Sequence, residues 1–237
     1  MGQASKLQHK ESDKMKIRTL IAGILVIQQI AGLSLQAADQ LTKLSAKSGS
    51  KMRIEGTSTV HDWQAESKII GGMIEVTPNF PITPGQEVKP EKVEVHGMAK
   101  IGVRSLLSVE KNGTHYKDKM DEAMWEKLLL NQHPNIFYYP GELTLKEAPK
   151  AKDAPYLFDS KGEVVVAGVT NKVSMPVKVL PMADGKIKIS GTLDTKMSNF
   201  NIQPVFLLGT FKTGDDVKLI FDWVVGPVKP VAGTANK

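Results

Sequence analysis

The sequence predicts an all-β fold of about eight antiparallel strands and one short helix. Apolar and polar residues alternate along most of the chain, the period of strands with one face in a core and the other in water. Short turn signals separate these runs. One stretch, Tyr116 to Gln132, instead carries apolar residues at helical spacing. Strand counting alone leaves both a closed barrel and a sandwich open.

In chain order, residues 1–38 read as an N-terminal extension and an address. Lys14, Lys16 and Arg18 precede an uncharged run from Thr19 to Ala38, with an apolar centre at Leu20 to Ile27 and small residues at Ser34 to Ala38. That order describes an export signal cleaved near Ala37-Ala38, giving a periplasmic or secreted product. Gln28 and Gln29 argue against a permanent anchor, since unpaired amides are costly in hydrocarbon. Membrane contact is therefore expected only through an uncleaved leader. Met15 is an alternative start to Met1. Residues 39–50 read as a flexible polar linker, 51–226 as the folded domain and 227–237 as a flexible tail.

Within the domain, Lys92 to Val103, Glu163 to Gly168, Val173 to Val179, Lys186 to Leu193 and Asp216 to Trp223 read as strands. Asn112-Gly113, Asp184-Gly185 and Gly214-Asp215 read as turns, and Asp184-Gly185 between two alternating runs is a hairpin signal. Gly71-Gly72 reads as a strand bend. Thr77 to Pro90 holds four prolines and is a loop. Over 116–132, Met120, Met124 and Leu128 recur at four-residue spacing beside Asp121, Trp125 and Leu129. They predict an amphipathic helix that stops before His133-Pro134.

Charge and composition exclude several functions. Beyond Ala38 there are 26 basic and 23 acidic residues, a net +3 that gives no basis for nucleic-acid binding. The chain has no cysteine, which excludes disulfides, thiolate metal sites and cysteine nucleophiles. No phosphate-binding loop, dinucleotide fingerprint or Gly-x-Ser-x-Gly is present. His61 and Asp62 are adjacent, so in a strand they would point to opposite faces, and a bonded turn is the expected reading. His96, His115 and His133 fall one per element without metal spacing. No cofactor, metal site or enzymatic activity is expected; an envelope hydrolase is the weakest alternative.

Several segments in order carry a family resemblance. They are Gly56-Thr57-Ser58-Thr59-Val60-His61-Asp62-Trp63, the helix followed by His133-Pro134-Asn135-Ile136-Phe137-Tyr138, and Val166-Ala167-Gly168-Val169-Thr170-Asn171-Lys172-Val173-Ser174-Met175-Pro176-Val177. Over about residues 51–225 the chain resembles the YceI-like family of lipocalin-like polyisoprenoid-binding periplasmic proteins. The chain departs from the family in its long Pro-rich loop and in lacking a Phe-Gly pair near Phe200, where a closing strand is expected. The resemblance implies an eight-stranded antiparallel lipocalin-like barrel, often a homodimer, holding a long-chain isoprenoid or fatty-acid-derived lipid. An eight-stranded barrel can just admit one slender ligand. Each buried methylene contributes roughly 0.8 kcal/mol, so such a ligand needs few polar contacts.

The tunnel-lining candidates are Trp63, Val95, Val103, Met124, Leu128, Phe137, Val164, Val166, Phe221 and Trp223. The same residues would fill a solid core if the barrel were an interaction module and not a carrier.

Overall fold

In the computed structural model, residues 41–207 and 211–228 are described. The leader (1–38) and the end of the tail lie outside these residues. The strands are β1 (Thr42–Ala46), β2 (Lys51–Ser58), β3 (Trp63–Ser67), β4 (Gly71–Val76), β5 (Lys92–Gly102), β6 (Leu107–Val109), β7 (Asn135–Glu147), β8 (Tyr156–Val166), β9 (Val169–Pro181), β10 (Ile187–Lys196), β11 (Phe206–Leu207) and β12 (Phe211–Pro227). A helix, α1 (Asp118–Lys127), follows β6, and 3-10 turns occupy Val103–Ser105 and Met197–Phe200.

Every pairing is antiparallel, and the ring β1-β4-β5-β7-β8-β9-β10-β12 closes through β12 back to β1. The pieces β2, β3 and β6 continue this ring. Strand β12 pairs with β1 at 225–227 and with β2 at 213–222, so β1 and β2 are halves of one bent strand. The pairings β1–β4 and β2–β3 belong to one hairpin whose register slips by one residue at the bend. Likewise β5 and β6 are one strand broken by the 3-10 turn. The result is an eight-stranded up-and-down barrel, the predicted fold class.

The bends have local causes. Ser50 Oγ accepts the Val224 N–H at 3.0 Å where the ladder is interrupted. Ser67, fully buried, lies 2.7 Å from Ser105 Oγ and donates to the Ile69 carbonyl at 3.0 Å, tying two bends together. Gly72 (φ +117°) and Gly97 (φ +112°) sit where β4 and β5 approach closely: a Cβ at either would collide with a carbonyl of the other strand. This is the bend expected at Gly71-Gly72.

Three expectations need correction. Residues 42–46, placed in the flexible linker, form β1. Their one fully buried side chain, Leu44, enters the core while the ladder to β4 and β12 satisfies the backbone. Gly214-Asp215 is not a turn between strands. It lies inside β12, at an irregularity between Thr213 and Val217 where the pairing with β2 shifts. Phe200 lies in a 3-10 turn, and β12 is the closing strand. The remaining strand and turn signals among the described residues hold, except that β8 stops at Val166 and Ala167-Gly168 turn the chain into β9. Asp184-Gly185 turns β9 into β10, and the helix forms within the expected window, though shorter, at 118–127. Leu128 ends it, and Leu129 is left-handed at φ 54°.

Helix α1 packs on β6. Asp121, 2% exposed, accepts the Ser108 N–H at 2.5 Å through Oδ1, while its Oδ2 meets His115 Nε2 at 2.7 Å. Trp125 Nε1 donates to the Leu106 carbonyl at 2.8 Å. The barrel interior forms one continuous apolar cluster.

Candidate functional site: an apolar interior cavity

A cavity of about 100 Å³ runs inside the barrel. On β5 its wall extends from Val95 to Ile101, six residues or about 20 Å along the strand. The space is therefore a thin seam. A cavity of roughly 150 Å³ is already enough for benzene, so a longer occupant has to widen this one. Met52 and Met175 line it and have the flexible side chains to do so.

One end lies at the Pro-rich loop, 77–91. Phe80, 1% exposed, reaches from this loop into the wall. Gln86 holds the loop together: its Oε1 accepts the Ile82 N–H at 3.0 Å, and its Nε2 donates to the carbonyls of Phe80 (3.0 Å) and Pro78 (3.2 Å). The Tyr156 hydroxyl donates to the Gln86 carbonyl, docking the loop on β8. Tyr156 also begins a row of directly opposed residues: Tyr156–Val179, Val179–Ile189 and Ile189–Trp223. Trp223 thus belongs to the loop end.

The wall is apolar apart from few atoms. Tyr138 crosses over Gly162, where a Cβ would lie 2.8 Å from the ring, and meets Ser160 Oγ at 2.6 Å. Burial raises the Tyr138 pKa above 10.0, and the bond to Ser160 opposes that only in part. Tyr138 is the only ionisable side chain on the wall among the described residues. Gly191 faces Phe221, and a Cβ there would lie 2.8 Å from the ring.

Of the predicted tunnel residues, Val95, Val164, Phe221 and Trp223 line the cavity. Phe137 borders it, yet its ring stacks on the 40%-exposed Tyr139, on the opposite face from Ile136 and Tyr138. Val103 and Val166 are buried just past the end set by Ile101 and Val164. Leu128 is buried and Met124 half-buried against the same core, but neither reaches the cavity. Trp63 sits at the tip of the β2–β3 hairpin. Its ring covers Gly56, its Nε1 donates to the Thr57 carbonyl at 3.1 Å, and it borders a separate polar cleft. Sequence reasoning missed Phe80, Tyr138, Ser160 and Met175. Only the Phe80-Pro81-Ile82 run, apolar within a loop, carried a signal.

The histidines do no work at the cavity. Ser58 Oγ accepts the N–H groups of Val60 (3.3 Å) and His61 (3.2 Å) and donates to the His61 carbonyl at 2.6 Å, so His61-Asp62 is a bonded turn as expected. His115, Asp118 and Asp121 bring three possible metal-ligand atoms within 4.8 Å of one another, a cluster the sequence reading did not pick out. Both Asp121 oxygens already hold β6 and His115, which makes the group a latch for α1.

A closed, antiparallel eight-stranded barrel with an apolar seam on its axis defines a lipocalin-like protein. The YceI-like domain profile matches residues 43–225, and the chain belongs to that family. No curated protein matches the sequence. Two solved structures share the fold. Burkholderia cenocepacia BcnA is 16% identical with a TM-score of 0.51, over 74% of this chain and 95% of its own. A polyisoprenoid-binding domain from Saccharophagus degradans, implicated in plant cell wall breakdown, is 9% identical with a TM-score of 0.52, over 80% of this chain and all of its own.

Proposed function

We propose that the protein is an exported carrier that holds a long-chain apolar ligand, a polyisoprenoid or fatty-acid-derived lipid, along the barrel axis. The observation that carries this reading is the apolar seam from Val95 to Ile101. The polyisoprenoid-binding domain from Saccharophagus degradans supports the choice of ligand class. A long chain exceeds the seam, so uptake requires the Phe80 loop and the two methionines to give way. Each methylene then buried contributes roughly 0.8 kcal/mol.

Binding is favoured over catalysis. A lone tyrosine bonded to a serine, with its pKa pushed up by burial, provides neither a general base near neutral pH nor an activated nucleophile. The apolar leader supports export to the periplasm or beyond. A homodimer completes the proposal. Met73 and Met98 oppose each other across β4 and β5, 46% and 37% exposed, and offer an apolar surface for it.

The test is organic-solvent extraction of protein purified from its native compartment, followed by mass spectrometry. A stoichiometric long-chain lipid is expected. Repeated recovery of empty protein would sink the reading. N-terminal sequencing of the same material should begin near residue 38, and sedimentation should give twice the chain mass.

A further inference from the structure

The cavity wall contains an unused hydrogen-bond donor. Trp223 is 4% exposed and lines the cavity, and its Nε1–H has no protein acceptor. Buried indole N–H groups ordinarily find a partner. The wall's other polar side chains, Tyr138 and Ser160, are bonded to each other. Ser160 stands four residues along β8 from Tyr156, about 13 Å from the row that contains Trp223. A water at Trp223 needs two to four polar partners. Trp223's neighbours on the wall are Ile189 and Phe221, and the buried Ser50 hydroxyl beside Val224 is already bonded to the Val224 N–H and the Lys47 carbonyl.

The wall also carries no lysine, arginine or histidine among the described residues. An ionised carboxylate or phosphate drawn inside would be buried without a counter-charge, which is strongly unfavourable. The polar atom that suits Trp223 is therefore an uncharged acceptor.

We propose that the ligand carries one neutral hydrogen-bond acceptor, a carbonyl- or ether-type oxygen, and that Trp223 Nε1–H receives it at the loop end of the cavity. This rests on the carrier reading and sharpens it. The oxygen-bearing end lies against the Phe80 loop, and the hydrocarbon runs toward Ile101 and Ile136. An apolar chain without an oxygen leaves the donor unpaired and binds more weakly.

The experiment compares octadecan-2-one, octadecane and stearate, delivered from cyclodextrin to the wild-type protein and to Trp223→Phe, which keeps an aromatic ring and removes the N–H. Wild type should prefer the ketone to the alkane by about tenfold, and stearate should bind more weakly than the ketone. In Trp223→Phe the ketone's advantage over the alkane should vanish while alkane affinity stays within about twofold. The indole N–H resonance of Trp223 in the wild-type protein is a second readout that needs no variant. It should move downfield with the ketone and not with the alkane. Equal binding of ketone and alkane, an advantage that survives Trp223→Phe, a stationary indole resonance or tightest binding of stearate would each overturn the proposal and leave the carrier reading standing. Binding of none of the three probes would overturn both.

Discussion

The Tyr138 hydroxyl on β7 lies 2.6 Å from Ser160 Oγ on β8, so the two hydroxyls on the cavity wall share a hydrogen bond. This lets an otherwise apolar seam tolerate two polar groups. Tyr138→Phe leaves the Ser160 hydroxyl unpaired, and the expected loss is about 1–3 kcal/mol in urea unfolding. Adding Ser160→Ala removes the orphan, so the double variant should lose less than the two single losses combined. Simple additivity would show that the bond matters little.

The same tyrosine sets a pH limit. Burial raises its folded pKa above 10.0, so the unfolded chain ionises first. The resulting stability is complete below pH 10 and is lost as pH rises through the folded pKa. Tyr156 is shifted in the same direction by burial and adds to the effect. Melting temperature should therefore fall above about pH 10, and Tyr138→Phe should flatten that fall in part. An unchanged alkaline slope would contradict the assignment.

Phe80 closes the loop end of the seam. Phe80→Ala should cost about 3–5 kcal/mol and enlarge the cavity. Lipid exchange should become faster, read as release of a fluorescent fatty-chain probe. A slower or unchanged release rate would place the entrance elsewhere.

Positions on and off the cavity wall should behave differently. Trp63 covers Gly56 at a hairpin tip and lies off the cavity, so Trp63→Phe should leave ligand affinity unchanged. Gly191→Ala places a Cβ 2.8 Å from the Phe221 ring, on the wall. It should weaken binding and cost about 1–3 kcal/mol of stability. Calorimetric titration of both variants with one probe checks the pair; the opposite ranking would contradict the placement.

Asp121 is the latch between α1 and β6. Asp121→Ala frees the Ser108 N–H and His115 together. A loss of about 1.5–3 kcal/mol is expected, with the fastest hydrogen exchange gained in 107–128. Unchanged protection there would show that α1 is held by packing alone.

Alternation made most of the barrel legible, because each strand has one wet face. Except at Phe137, which faces outward beside Tyr139, it also assigned faces correctly where it failed to locate the cavity. Trp63 shares a strand face with the buried Ala65 and Ser67, and Val103 and Val166 are buried as predicted. These residues miss the seam because it ends sooner along the barrel axis, a distance that periodicity does not encode. β1 escaped notice because one buried leucine in a polar segment is too little pattern. Gly214-Asp215 suits a turn or an irregular strand equally, and only its pairing with β2 decides. Tyr138 meets Ser160 across 22 positions of sequence, past a glycine that leaves room, and no local motif marks such a crossing.

The central claim is an occupied barrel axis. Its most direct test is a crystal structure of protein purified from its native compartment without added lipid. The account predicts continuous density of a single chain from Trp223 to Ile101, with Met52, Met175 and Phe80 displaced outward. A seam no wider than 100 Å³ and filled only by side chains would contradict it.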